Sequence, residues 1–187
     1  MATTADINVG SVIRFNGELC LITEYQHRTP GNLRAFYQAR MKNLRSGKQT
    51  ENRFRSGEEV EVVRVEYKMM QFIYPEGDFI VVMDNTTFEQ VHIPSVALGD
   101  GLKFLKEGME VKVTFEEDNA ILAEAPTFVE LQVTYTEPGL KGDTATNTLK
   151  PATVETGAEV RIPLFINEGD VIRIDTRTAA YVERVKK

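Results

Sequence analysis

Cysteine is almost missing from this 187-residue chain, and the single Cys20 excludes an internal disulfide and any cysteine-rich zinc site. It sits in the apolar run Leu19-Cys20-Leu21-Ile22, the setting of a small buried hydrophobe rather than of a reactive thiol. Histidine is nearly as scarce: His27 and His92 stand far apart and in no metal-ligand spacing, so no metal site is expected. There is no G-x-S-x-G, H-E-x-x-H, Walker loop or dinucleotide fingerprint. The acidic pairs Glu58-Glu59 and Glu116-Glu117 are sequence neighbours, which point to opposite faces of a strand and make poor acid–base partners. The expectation is a protein that is not an enzyme and needs no cofactor. Long apolar runs are lacking too, since none approaches the roughly 20 residues of a membrane span. The opening residues MATTADINVG lack the basic and apolar regions of a signal peptide. A cytoplasmic protein with no membrane partner is therefore expected.

What is present is an uneven charge. The net charge of −6 divides into +3 for residues 1–64, −8 for residues 65–126 and −1 for residues 127–187. An acidic middle segment repels a polyanion and confines polyanion contacts to basic faces. The basic side chains concentrate between Arg28 and Arg55, where Arg28, Arg34, Arg40, Lys42, Arg45, Lys48, Arg53 and Arg55 face a single acid, Glu51.

The elements read as strands throughout. Ser11–Phe15 alternates, Asn16-Gly17 is a strong two-residue hairpin signal, and Glu18–Glu24 returns. A Pro30-Gly31 turn then leads to Phe36–Leu44, followed by an Arg45–Lys48 turn, Gln49–Phe54 and Val60–Val65. Five or so short strands with turn signals every 8 to 12 residues imply a small barrel or rolled sheet. A second set follows: Met69–Tyr74, a Pro75–Asp78 turn, Phe79–Met83, Phe88–Ile93, short helical turns in Ser95–Leu105, then Met109–Phe115 and Ala120–Ala125. A third has Phe128–Tyr135, a long loop over Thr136–Pro151, Glu159–Phe165, Asp170–Asp175 and Ala180–Val185. The last two sets echo each other, with Val91-His92-Ile93-Pro94 before Glu107-Gly108 matching Val160-Arg161-Ile162-Pro163 before Glu168-Gly169. The fold class is all-β, in three small barrel domains over residues 1–64, 65–126 and 127–187. Five-stranded barrels of this size fit the OB-fold, which commonly binds oligonucleotides.

Two stretches are candidate sites. Around Pro30-Gly31 the chain projects a hairpin tip flanked by cations, in which Arg34, Phe36, Tyr37 and Arg40 interleave guanidinium and aromatic groups, a pattern suited to phosphate contact and base stacking. Cations on hairpins also serve merely to keep edges soluble. The concentration of eight against one in an acidic chain favours nucleic acid. The second stretch is Gly142-Asp143-Thr144-Ala145-Thr146, where glycine permits close backbone approach and the polar side chains hydrogen-bond a ligand or cap their own turn. On side-chain chemistry alone the second reading, an ordinary loop, is favoured.

The run Phe128-Val129-Glu130-Leu131, Glu137-Pro138-Gly139-Leu140-Lys141-Gly142-Asp143-Thr144-Ala145, Lys150-Pro151-Ala152-Thr153 and Gly157 through Phe165 to Gly169-Asp170 resembles bacterial elongation factor P. Thr87-Phe88-Glu89-Gln90, and Pro30-Gly31 with Ala35-Phe36, fit the same family, so the resemblance spans the chain. It implies a KOW-like (SH3-like) first barrel and two OB barrels in an L-shaped, tRNA-like arrangement. It also implies binding to the ribosome, both rRNA and ribosomal proteins, beside the peptidyl-tRNA, with relief of stalling at consecutive prolines. The peptidyl transferase chemistry would remain that of rRNA. By resemblance the tip facing the peptidyl-tRNA is Arg28, Pro30, Gly31, Asn32, Leu33 and Arg34, and Arg40, Lys42, Arg45, Arg53 and Arg55 form an RNA-contacting basic face. Gly142, Asp143, Thr144, Ala145 and Thr146 would lie near the exit-site codon and touch mRNA. The chain is expected to act as a monomer. One departure stands out: Asn32 occupies the position where many members carry a lysine or arginine bearing a post-translational extension. An amide offers neither an amine nor a guanidinium for such chemistry, so the expectation is a tip that works unmodified, with Arg34 supplying the charge.

Overall fold

The computed structural model describes residues 2–31, 34–138 and 148–185. Within it the chain forms two compact units, one containing residues up to Lys68 together with Val113–Ala123, the other Met69–Lys112 together with residues from Glu124 onward. Apart from two 3-10 turns, the regular structure described is all strand.

The first sheet consists of β1 (Ala2–Thr3), β2 (Val12–Phe15), β3 (Glu18–Arg28), β4 (Phe36–Asn43), β5 (Gln49–Arg55) and β6 (Glu59–Val62), in the order β1-β6-β2-β3-β4-β5. Asn16 and Gly17 both adopt positive φ (52° and 80°), as the tight hairpin between β2 and β3 requires. β3 runs on to Arg28, four residues beyond the expected Glu24: Thr23 forms a bulge between the pairs Ile22↔Met41 and Glu24↔Arg40, and pairing with β4 then continues to Arg28↔Phe36. The bulge changes which face the alternate side chains occupy: Cys20 and Ile22 are buried before it, and Tyr25 packs against the same core after it. Ile7, Ile13, Cys20, Ile22, Ala39, Met41, Phe54 and Val60 make up this core. Burial pushes the Cys20 thiol pKa up, consistent with an unreactive side chain. β6 ends at Val62 rather than Val65, and Val63 and Val65 instead join Val12, Leu44 and Leu122 in a second apolar cluster of the same unit.

A second sheet has the order β11-β10-β7-β8-β9, built from β7 (Glu66–Glu76), β8 (Phe79–Asp84), β9 (Gln90–Pro94), β10 (Glu110–Glu116) and β11 (Asn119–Glu124). Pro75 and Glu76, expected in a turn, complete β7, and the reversal falls on Gly77 (φ 59°) and Asp78. The expected helical turns between β9 and β10 are two 3-10 segments, Ser95–Ala97 and Gly99–Phe104.

β12 (Phe128–Thr136), β13 (Leu149–Val154), β14 (Glu159–Pro163), β15 (Val171–Asp175) and β16 (Ala180–Arg184) close into a barrel in the order β12-β13-β14-β16-β15. β13 corrects the reading of Thr136–Pro151 as loop. Its inward positions are Lys150, Ala152 and Val154, and a charged residue in that series hides the alternation. Lys150 is tolerated there because its Nζ donates to the Glu137 carbonyl at 2.8 Å. Pro151 stands one residue past the last β12 pairing, Thr136↔Ala152. Leu131, Ile162, Ile166, Ile172 and Ile174 are fully buried in the barrel, each stabilising the fold by about 1.5–3 kcal/mol.

The sequence echo corresponds to a structural one. Relabelled strand for strand, β11-β10-β7-β8-β9 is β16-β15-β12-β13-β14. Gly108 N donates to Phe72 O and Phe72 N to Met109 O, while Gly169 N donates to Val133 O and Val133 N to Asp170 O. Gly108 and Gly169 share φ near 89° and 88°. The 3-10 segments account for the longer spacing in the first copy.

Candidate nucleic-acid interface at the first hairpin

Strand register decides which cations of the first sheet share a face. β3, β4 and β5 pair so that Arg28, Phe36 and Arg55 lie in one row across the sheet, Gln26, Gln38 and Arg53 in the next, and Glu24, Arg40 and Glu51 in a third. The opposite face carries Tyr25, His27 and Tyr37 as a ring stack, with Tyr25 on Tyr37 at 5.1 Å and His27 on Tyr37 at 4.6 Å. Tyr25 Oη donates to the Thr4 carbonyl at 2.6 Å, and burial together with the neighbouring Tyr37 pushes its pKa up to about 12. The stack thus packs against the root of the hairpin, on the face opposite the cations.

The outer face is not uniformly basic. Arg40 is gripped by Glu24 at 2.5 Å and by Glu51 at 2.6 Å. The Arg40 hydrogen bonds and charge hold the Glu51 carboxyl below its ordinary range. Among the described residues, no carboxylate lies within ion-pairing distance of Arg28, Arg34, Arg53 or Arg55. The Arg53 guanidinium sits 5.3 Å from the centre of the Phe36 ring. His27, Arg28, Thr29, Pro30, Phe36 and Gln38 line an open depression of about 510 Å³ at this end.

Of the aromatic pair expected to stack on bases, only Phe36 faces outward with the cations, and Tyr37 is committed to the stack beneath. Lys42 lies six residues from Phe36 along β4, about 20 Å away at strand spacing. With Arg45 and Lys48 of the adjoining turn it forms a separate cationic group at the far end of the sheet. Asn32 and Leu33 fall outside the described residues, as does the whole of Gly142, Asp143, Thr144, Ala145 and Thr146. Among the described residues no three His, Cys, Asp or Glu side chains cluster to hold a metal ion. His92 is exposed and paired with Glu76 at 3.0 Å. The Glu24–Arg40–Glu51 row and the Phe36–Arg53 contact are absent from the sequence reading. Their signal is the Asn43–Lys48 turn, which fixes the β4–β5 register and so sets Arg40 opposite Glu51 and Arg53 diagonal to Phe36.

Comparison with known proteins places this geometry. The family profile described as "Elongation factor P (EF-P) KOW-like domain" matches residues 3–60, "Elongation factor P (EF-P) OB domain" matches residues 65–123, and "Elongation factor P, C-terminal" matches residues 129–184. Elongation factor P of Chloroherpeton thalassium is 53% identical over the full length of both chains. The chain belongs to the elongation factor P family. Elongation factor P of Roseiflexus sp. (strain RS-1) is 48% identical, again with both chains fully covered. Among solved structures, eukaryotic translation initiation factor 5A from Methanococcus jannaschii aligns with 66% of this chain and 94% of its own, at 20% identity and TM-score 0.49. Members of the elongation factor P family are translation factors rather than classical enzymes, and the hairpin described above lies within the part matched as KOW-like. No helix described is long and apolar enough to cross a membrane.

Proposed function

We propose that this chain binds the ribosome beside the peptidyl-tRNA and promotes peptide-bond formation where consecutive prolines stall it. The observation that carries the reading is the outer face of the first hairpin. There Arg28, Arg53 and Arg55 surround Phe36 without a carboxylate partner among the described residues, in a chain whose relatives are named as elongation factors. Guanidinium groups without a carboxylate partner beside a half-buried ring on the same face suit an RNA backbone and an unstacked base. The factor supplies position and charge, and the chemistry stays with rRNA. The tip of Arg28, Pro30, Gly31, Asn32, Leu33 and Arg34 points to the acceptor end of the tRNA, and Gly142–Thr146 reads the exit-site codon region of mRNA. Three domains, 1–64, 65–126 and 127–187, act as one monomeric cytoplasmic adaptor.

A reconstituted translation reaction on a polyproline message tests this. Adding the protein is expected to restore full-length product, while a message without prolines translates equally with and without it. Absence of rescue alongside intact RNA binding would reduce the chain to a generic RNA-binding protein. Because Asn32 has no modifiable cation, rescue is expected from protein made without any modifying enzyme. Intact mass of the protein from its native source is expected to equal the sequence mass, and a shift mapped to this hairpin would overturn that part.

A further inference from the structure

One loop shape occurs three times in the molecule, each time with a different residue at its most demanding position. In the first, Asn43 O accepts from Gly47 N at 2.9 Å, Asn43 N donates to Lys48 O at 2.9 Å, and Asn43 Oδ1 accepts from Arg45 N and Ser46 N at 2.9 and 2.8 Å. In the second, Asp84 O accepts from Phe88 N at 2.9 Å, Asp84 N donates to Glu89 O at 3.0 Å, and Asp84 Oδ1 accepts from Thr86 N and Thr87 N at 2.7 and 3.2 Å. In the third, Asp175 Oδ1 accepts from Arg177 N at 3.0 Å, and Ala179 takes the same place in the loop. The residue four after the Asn or Asp is left-handed in all three, with φ of 71° at Gly47, 60° at Phe88 and 55° at Ala179.

Glycine meets that demand without strain, and alanine at the cost of one Cβ. A bulky aromatic is an outlier there, persisting only because the surrounding hydrogen bonds over-determine the backbone. Phe88 receives no compensating burial, since it is 70% exposed, the most exposed large hydrophobic residue described. Met69, 54% exposed, sits at the same end of the sheet, immediately before the pair Met70↔Asp84 that closes the loop. Strain combined with exposure leaves contact outside the chain as the use for the ring. The loop belongs to the segment with net charge −8, and Glu89 next to Phe88 is exposed. Phosphates are repelled by such a surface, and a Lys- or Arg-rich protein surface is attracted to it.

We infer that Phe88 is a docking anchor, held outward by the Asp84–Glu89 turn, that enters an apolar pocket on a basic protein partner, with Met69 as its secondary contact. The test rests on the ribosome-binding reading and uses p-benzoylphenylalanine, a photo-crosslinking amino acid, placed at position 88 or, in a separate protein, at Phe36 of the hairpin. Each is irradiated on purified ribosomes carrying peptidyl-tRNA and stalled on a polyproline message. The position-88 crosslink is expected on a ribosomal protein and to survive ribonuclease. A crosslink from 88 to rRNA, or none while position 36 still crosslinks, overturns the docking anchor and leaves ribosome binding intact. Loss of both overturns the two readings together. Phe88→Gly separates docking from a structural role. It is expected to leave the melting temperature unchanged or raised, because the strain is relieved, while ribosome affinity falls about tenfold. A lowered melting temperature with unchanged affinity would make the ring a structural element and sink the proposal. Phe88→Asn, also tolerant of this backbone, is expected to behave as Phe88→Gly does.

Discussion

Arg173, Arg177 and Arg184 of the closing barrel and the arginines of the first hairpin are answered differently. In the barrel, Arg173 holds Glu130 at 2.8 Å and Glu183 at 2.6 Å, Arg177 holds Asp175 at 2.6 Å, and Arg184 lies 3.7 Å from Asp170. In the hairpin of the first sheet, Arg28, Arg53 and Arg55 share a face with Phe36 and Gln38, and only Arg40, one row farther from the tip, is neutralised. Register makes the difference. Pairing sets Glu130 and Glu183 on either side of Arg173, whereas it sets Arg28 and Arg55 on either side of Phe36. A cation answered across its own sheet serves the fold, and one set beside an aromatic ring remains available to another molecule.

The comparison can be broken at several points. The largest effect is expected in the barrel core, where Leu131→Ala should cost about 2–5 kcal/mol in denaturant unfolding. Ribosome affinity should be little changed wherever the protein remains folded. Next comes the hairpin: Arg53→Ala combined with Arg55→Ala should weaken ribosome binding about tenfold or more at low salt, and reduce the salt slope by roughly 0.7–0.9 for each phosphate that the variant leaves unneutralised. Stability of that variant should stay within about 0.5 kcal/mol of the parent. Arg173→Ala is the matched change in the barrel, expected to leave affinity and slope alone while lowering the melting temperature slightly. Equal falls in affinity from the two would end the distinction.

The smallest effect sharpens it from the other side. Glu51→Gln removes one of the two carboxylates on Arg40 and should raise RNA affinity by about two- to threefold. The same variant tests the pH dependence. The Arg40 interaction lowers the Glu51 pKa from 4.5, so its stabilising contribution is complete above the ordinary carboxylate range and is lost as pH falls through the lowered value. Between about pH 5 and pH 3, the melting temperature of the parent should therefore fall more steeply than that of Glu51→Gln.

Much of the strand pattern is legible in the chain because alternation and turn chemistry are local. Asn16-Gly17, Gly77-Asp78 and the repeated Val-x-Ile-Pro and Glu-Gly segments all mark features that the fold retains. β13 is not legible, since its buried Lys150 depends on a carbonyl 13 residues away, and β3 reads too short because a bulge at Thr23 disturbs its period. The same limit applies to the hairpin face. Counting cations marks the stretch but not its pairing: Arg40 is indistinguishable from Arg53 until register sets one between two glutamates and the other against a ring. Phe88 is legible only as part of a family motif, because nothing in a run of Thr-Phe-Glu-Gln reveals a left-handed backbone.

The ring stack beneath the hairpin gives this molecule an optical handle. Tyr25 and Tyr37 lie nearly parallel, with an interplanar angle of 11°, and the sequence contains no tryptophan. Their coupled transitions should contribute a near-ultraviolet circular dichroism band free of overlapping indole absorption. Any ligand that twists or loosens the hairpin would then register in the spectrum of the unlabelled protein.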